Sequence, residues 1–173
     1  MNNRPYIYSE DSRLLGRVIS SLEDSVSFLE IGVGNGKNLV SVKDKFRVVV
    51  GTDLNLEVRG DFRSAVELVV ADKASCFRSS SFDLVAFNPP YVPSEGIEDR
   101  TIDGGRNGIE IPLEFLSSAL EVLKPAGRVV MVVSSEDSID ELEDFCEKRG
   151  LKSKKIAEVS LFFESLYVYL INR

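Results

Sequence analysis

The sequence predicts a parallel α/β sheet covered by helices on both faces, and three observations predict it. Short apolar runs alternate with amphipathic helical stretches along most of the chain. Most of those runs are apolar throughout, the pattern of strands buried on both faces. The chemically unusual residues fall directly after the runs, where such sheets bind their ligands. The last two runs, 153–159 and 163–171, follow one another with no helix between them. They add an antiparallel hairpin at one edge and bring the sheet to seven strands.

In order, residues 6–15 begin extended and polar. Asp11 or Ser12 can cap a helix to about Glu23, with Leu14, Leu15, Val18, Ile19 and Leu22 spaced along one face. Residues 26–31 (VSFLEI) form a buried strand that runs straight into Gly32-Val33-Gly34-Asn35-Gly36. A helix over 37–45 precedes the second strand, 46–52, which ends at Asp53. A short helical or irregular piece leads to the third, 66–71, ending at Asp72. Ser79-Ser80-Ser81 turns the chain into FDLVAF, the fourth strand, which stops at Asn88-Pro89-Pro90-Tyr91. A long Gly-rich connection, 92–108, reaches a helix over 110–123, halted by Pro125 and Gly127. A strand at 127–134 and a helix over 138–149, ending at Gly150, complete the unit. At 173 residues the whole chain reads as one domain, with no repeat or linker.

Composition narrows the chemistry. Hydrophobic content of 43% and charged content of 28% are those of an ordinary globular protein. No apolar run reaches the length of a membrane span, and the N-terminus lacks the apolar stretch of a signal peptide. A net charge of −7 counts against broad binding to phosphate backbones. The two cysteines, Cys76 and Cys146, have no paired spacing; no metal site is expected, a reducing cytoplasm fits, and Cys76 reads as packing. There is no histidine, which removes Ser/His hydrolases and most metalloenzymes.

The candidate site is built from the strand ends. Neither Pro89 nor Pro90 has an N–H, so the backbone after strand four offers carbonyls at Asn88 and Pro89 without a donor between them. With the Asn88 side-chain oxygen this makes an acceptor-rich notch suited to an –NH2 group, and the ring of Tyr91 lies beside it for a planar substrate. A Pro-Pro turn closing a core strand is the structural alternative. Gly32, Gly34 and Gly36 let backbone approach a ligand closely. Lys37 stands where a dinucleotide fingerprint needs its third glycine, and no Gly-Lys-Ser/Thr follows for a phosphate loop. What remains is a glycine loop expected against an adenosine ligand lacking phosphates. Asp53 can accept both ribose hydroxyls or cap the segment that follows it, and Asp72 can accept from an adenine amino group or act as a cap.

Together these motifs resemble one family. E-x-G-x-G-x-G from Glu30, an Asp after strands two and three, and NPPY after strand four resemble the class I S-adenosylmethionine-dependent methyltransferases, which implies a Rossmann-like fold. Y-x-x-E-D-S-x-L-L before the first helix, NPPYV, and Gly104-Gly105-Arg106-Asn107-Gly108 narrow the resemblance to the HemK-type protein glutamine methyltransferases. The match is to their short archaeal and eukaryotic branch, because bacterial members carry an extra N-terminal helical domain. NPPY is shared with nucleic-acid amino methyltransferases; the Gly-Gly-Arg-Asn-Gly run discriminates. Two departures stand out: segment 54–65 is short for the family, and Ile102 stands where an aromatic is frequent.

The resemblance implies S-adenosyl-L-methionine as cofactor, held by Glu30, Gly32, Gly34, Gly36, Asp53, Leu54, Asp72, Lys73 and Asn88. Asn88, Pro89, Pro90 and Tyr91 would take the substrate, with Asn88, Pro89 and Tyr91 catalytic and no metal involved. It implies N5-methylation of the glutamine in the Gly-Gly-Gln loop of a class-1 translation release factor. It also implies a small zinc-binding activator subunit, for which an exposed edge strand at 66–71 is the expected seat. The alternatives are a nucleic-acid amino methyltransferase acting on adenine N6 or guanine N2, and a cofactor-binding but silent subunit, which would have no use for the notch. Connection 92–108 is expected to move and close over the substrate, with Gly104, Gly105 and Gly108 as its hinges.

Overall fold

The computed structural model describes residues 10–23, 25–55 and 66–173. The chain start around Tyr8 and most of the piece between strands two and three lie outside the described residues. Helix α1 (Glu10–Ser21) leads to β1 (Ser27–Ile31), α2 (Lys37–Ser41), β2 (Val48–Asp53), β3 (Glu67–Val70) and β4 (Phe82–Phe87). Two short strands, β5 (Val92–Pro93) and β6 (Asp103–Gly105), precede α3 (Glu110–Val122). Strand β7 (Leu123–Ser134), α4 (Ile139–Lys148), β8 (Lys152–Ser160) and β9 (Ser165–Asn172) follow. The main sheet has seven strands in the order β3-β2-β1-β4-β7-β9-β8. All neighbours through β7 are parallel, and β9 runs antiparallel to both β7 and β8. This is the sheet and edge hairpin that the sequence predicts.

The period of two along a strand divides the core between the two faces. Leu29, Ile31, Val85, Phe87, Val129, Met131 and Val133 point to one side, where Leu116 and Ala119 of α3 and Leu142 and Cys146 of α4 cover them. Phe28, Leu84, Ala86, Val130 and Val132 point to the other, covered by Leu14, Leu15, Val18 and Ile19 of α1 and Leu39 of α2. Every expected face residue of α1 is therefore inward, Leu22 partly so.

Several details differ from the sequence reading. Helix α1 begins at Glu10, so Asp11 and Ser12 are buried in its first turn and do not cap it from outside. Helix α2 stops at Ser41 and gives way to turns. Strand β7 starts at Leu123, ahead of Pro125, and the ladder to β4 absorbs the proline with a register shift between Phe82 and Leu84. Cys76 is exposed and does no packing; only Cys146 is buried. The long connection is itself built, as a two-stranded parallel ribbon of β5 and β6.

Candidate active site

The strand order reverses between β1 and β4, and there Ile31 pairs with Phe87. Gly32 and Asn88 therefore leave the sheet side by side, and the glycine loop and NPPY share one crevice. Ile31 also pairs with Thr52, which brings Asp53 to the same rim. The switch point of a parallel sheet is where ligands bind.

Gly32, Gly34 and Gly36 have φ of 73°, 51° and 70°, left-handed conformations that a side chain would strain. The N–H groups of Gly32 and Val33 donate to the Thr52 carbonyl at 2.8 and 3.1 Å, tying the loop to β2. Gly34 N–H donates to Asp53 Oδ2 and Asn55 N–H to Oδ1, each at 2.9 Å. Asp53 thus makes the cap that the sequence offers and ties the glycine loop as well. It locks its own turn through Asn55 and stands, partly buried, beside the loop. Glu30 lies beneath the loop, 4% exposed. Burial pushes its carboxyl up to about 8, against hydrogen bonds from the Asn38 side chain and Leu39 backbone, with Asp53 adding to the rise. It is a neutral acid that braces the start of α2.

The opposite wall comes from α3. Phe115 packs against Phe87 with ring centroids 5.6 Å apart, and a Cβ on Gly32 would lie 3.8 Å from the Phe115 ring. Lys73 adopts a φ of 53° and binds Asp72 at 3.2 Å and Glu114 at 3.1 Å, with its ammonium 5.6 Å from the Phe115 centroid. Ala74 N–H donates to Ser118 Oγ at 3.1 Å. Turn 72–77 is therefore clamped to α3, while the Asp72 side chain is largely exposed on the outer lip. Leu54, 53% exposed, stands at the end of β2. Phe115 was not singled out in the sequence. An aromatic on the inner face of a helix carries no local mark of a site.

In the notch, Pro89 is buried and Asn88, Pro90 and Tyr91 are partly buried. The Asn88 side-chain oxygen is enclosed. Tyr91 packs on the α1 side of the core and donates its hydroxyl to Asp11 Oδ2 at 3.1 Å. Its ring is anchored at the start of α1.

The Gly-Gly-Arg-Asn-Gly run sits directly behind that tyrosine. A Cβ on Gly104 would lie 2.6 Å from both the Tyr91 carbonyl carbon and the Gly108 oxygen. One on Gly108 would lie 2.4 Å from Asp137 Oδ1 and 2.5 Å from the Tyr91 oxygen. Arg106 N–H donates to Glu110 Oε2 at 3.2 Å, and Asn107, at φ 57°, donates from Nδ2 to Glu141 Oε1 at 2.9 Å. Ser138 N–H donates to the Asn107 carbonyl at 3.1 Å. At Gly104 and Gly108 backbone comes too close for a side chain, and at Gly105, with φ 75°, a Cβ would meet the Glu110 side chain. Ile102 is half exposed at the ribbon's outer end.

Asp137 is buried behind this contact and accepts Ser134 N–H at 2.7 Å. Burial, with Glu164 and Glu136 nearby, pushes its carboxyl up to about 8. Among the described residues no group of His, Cys, Asp and Glu could hold a metal ion, and no helix is long and apolar enough to cross a membrane.

No family model matches the chain. It is 30% identical to a Methanocaldococcus jannaschii chain provisionally named a protein N5-glutamine methyltransferase, over 95% of its own length and 90% of that relative. It is 27% identical to the release factor glutamine methyltransferase of Caulobacter vibrioides over 75% of its length, and spans about half, 53%, of that relative. Among solved structures it superposes with a TM-score of 0.81 and 27% identity on the E. cuniculi Mtq2–Trm112 complex, described as responsible for methylating the translation termination factor eRF1. That match covers 97% of this chain and 98% of the other.

Proposed function

This chain belongs to the HemK-type family of protein glutamine methyltransferases, S-adenosylmethionine-dependent enzymes, and from that premise we propose that it methylates N5 of the glutamine in the Gly-Gly-Gln loop of a class-1 translation release factor. The observation that carries the reading is the pairing of Ile31 with Phe87, which sets a donor-free proline notch beside a left-handed glycine loop in one crevice. The Mtq2–Trm112 complex, which shares this fold, is described as methylating such a factor.

The residues fit the cofactor. The glycine loop keeps side chains out of the space above β1 and β4, and Asp53 has lone pairs left for ribose hydroxyls. Leu54 and Phe115 offer apolar surface to a flat ring. Lys73 and Asp72 form the outer lip. When bound, S-adenosylmethionine supplies an electrophilic methyl group. The rest is done by the chain. The Asn88 side-chain oxygen and the Pro89 carbonyl would accept the two N–H bonds of the glutamine amide and fix its nitrogen in the notch. Methyl transfer, with the cofactor's thioether as leaving group, would make that nitrogen cationic, and both acceptors would bind it more tightly than in the ground state. The proton then leaves without a base, since a quaternised amide nitrogen is strongly acidic. Tyr91 positions the notch through its bond to Asp11 and its backbone contact with Gly104 and Gly108.

A small activator subunit, of the kind present in the Mtq2–Trm112 complex, would pair along β3. That strand is an open sheet edge with Val70 58% exposed. The substrate puts the reaction in the cytoplasm. Methyl transfer from labelled cofactor to purified release factor tests the whole reading, with duplex DNA and structured RNA as competitors. Labelling should appear on the factor and vanish when its Gly-Gly-Gln glutamine is changed to arginine. Labelling that persists on that variant, or is stronger on nucleic acid, overturns it.

A further inference from the structure

The β8–β9 hairpin ends in Leu161-Phe162-Phe163-Glu164, and its two phenylalanines are 92% and 88% exposed. Their rings stack edge to face 4.7 Å apart with nothing over them. Two adjacent, almost fully exposed phenylalanines are uncommon on a soluble surface and mark an interaction site far more often than a lone exposed leucine does. We propose that this aromatic tip is a docking point for the body of the protein substrate, outside the crevice that receives its glutamine; the inference rests on the glutamine methyltransferase reading above.

Three observations select that occupant. The first is location. β8 runs parallel to β7, so the tip emerges at the same rim as the notch. It is fastened there: Ser135 N–H donates to the Ser165 carbonyl at 2.8 Å, Ser165 N–H donates to Ser135 Oγ at 2.9 Å, and Ser134 Oγ bonds to Glu164 Oε2 at 2.5 Å. The same 134–138 loop carries Asp137, which lies against Gly108, and Gly108 in turn lies against the Tyr91 carbonyl. One loop at this rim thus holds the tip and backs the notch.

The second is distance from the other partner. β8 is the last strand of the sheet and β3 the first, so a subunit paired along β3 sits at the opposite edge. The third is charge. No Lys or Arg occurs in 134–147 or 156–166, which hold Glu136, Asp140, Glu143, Asp144, Glu158 and Glu164 among others. Such a surround repels phosphate backbones and anionic lipid headgroups, and suits a protein face with an apolar patch edged by basic groups.

The experiment uses the chain co-expressed with the proposed small subunit and compares wild type with Phe162→Ser/Phe163→Ser on two substrates, intact release factor and a short Gly-Gly-Gln peptide. Removing two aromatic anchors should raise KM for the intact factor at least tenfold, with kcat, peptide kinetics and cofactor affinity near their original values. Phe162→Tyr/Phe163→Tyr should restore KM. A KM for the factor unchanged within twofold overturns the docking assignment and leaves the glutamine reading standing. So does an equal loss on the peptide, which would make the tip part of the crevice, or loss of the subunit from the purified complex, which would make it that partner's seat. Absence of any methylation of the factor by wild type brings down the glutamine reading itself, and the docking assignment with it.

Discussion

Asn88 and Asp53 occupy one rim but answer to different ligands, and single substitutions separate them. Asn88→Ala removes the enclosed side-chain acceptor and leaves the Pro89 carbonyl, the glycine loop and Asp53 in place. Turnover should fall by about two to three orders of magnitude, as when one preorganised transition-state hydrogen bond is lost, while calorimetric cofactor affinity stays near wild type. Asn88→Asp keeps an acceptor of the same size and should retain partial activity. Equal loss of affinity and turnover in Asn88→Ala would move that residue to the cofactor. Asp53→Ala is the mirror experiment. It removes a charged acceptor and frees the N–H groups of Gly34 and Asn55, so the loop loses its brace as well. Cofactor Kd should rise by about one to two orders of magnitude, from roughly 1.5–3 kcal/mol of charge-assisted hydrogen bonding. An unchanged Kd in a folded variant would show that Asp53 serves only its own turn.

At the scale of elements, what was legible in the sequence was whatever leaves a periodic or a donor-free trace. Continuous apolar runs gave the strands, and the helix-free pair at the end gave the hairpin. The paired ends of β1 and β4 follow from parallel topology once those strands are recognised. Packing between elements leaves no such trace. Nothing local distinguishes Phe115 from any other inward aromatic, and Asp137 became part of the site's support only because β7 delivers it against Gly108. For the same reason the glycines of 104–108 look in sequence like hinges. A glycine required by a close approach and one required by motion look alike in sequence, and the Tyr91 backbone marks the close approach at Gly104 and Gly108. Gly104→Ala would press a methyl group onto backbone atoms of Tyr91 and Gly108 that have little room to yield. It should destabilise the fold by about 1–3 kcal/mol and lower turnover more than cofactor affinity, because the displaced segment is the notch. Gly96→Ala, in the same connection with nothing within 4 Å of its Cβ, is the control and should leave both unchanged. If the two variants behaved alike, the connection would be acting by its flexibility after all.

For the whole molecule, the two carboxyls buried around the site set a dependence of stability on pH that opposes the usual acid-labile pattern. Glu30 ordinarily titrates near 4.5 and Asp137 near 3.8, yet burial lifts each to about 8 in the folded chain. Between those limits the folded state holds protons that the unfolded state has released. Stability from these groups is therefore complete below about pH 4 and declines as pH rises toward 8, with a limiting slope of about 1.4 kcal/mol per pH unit for each group. A net charge of −7 at neutral pH, growing more negative above it, works in the same direction. Asp83 works in the other. Its own burial is outweighed by hydrogen bonds from Lys124 and Ser27, so its carboxyl titrates below the usual range and its contribution is lost in acid. The melting temperature should accordingly be higher at pH 5.5 than at pH 8.5 (about three pH units apart). Glu30→Gln/Asp137→Asn replaces each neutral acid with an uncharged isostere that cannot lose a proton. It should flatten that decline and melt above wild type at the alkaline end. Parallel melting curves for the two proteins across the range would mean that neither carboxyl holds its proton in the folded chain, and that the support behind Tyr91 is an ionised Asp137 paired in some other way.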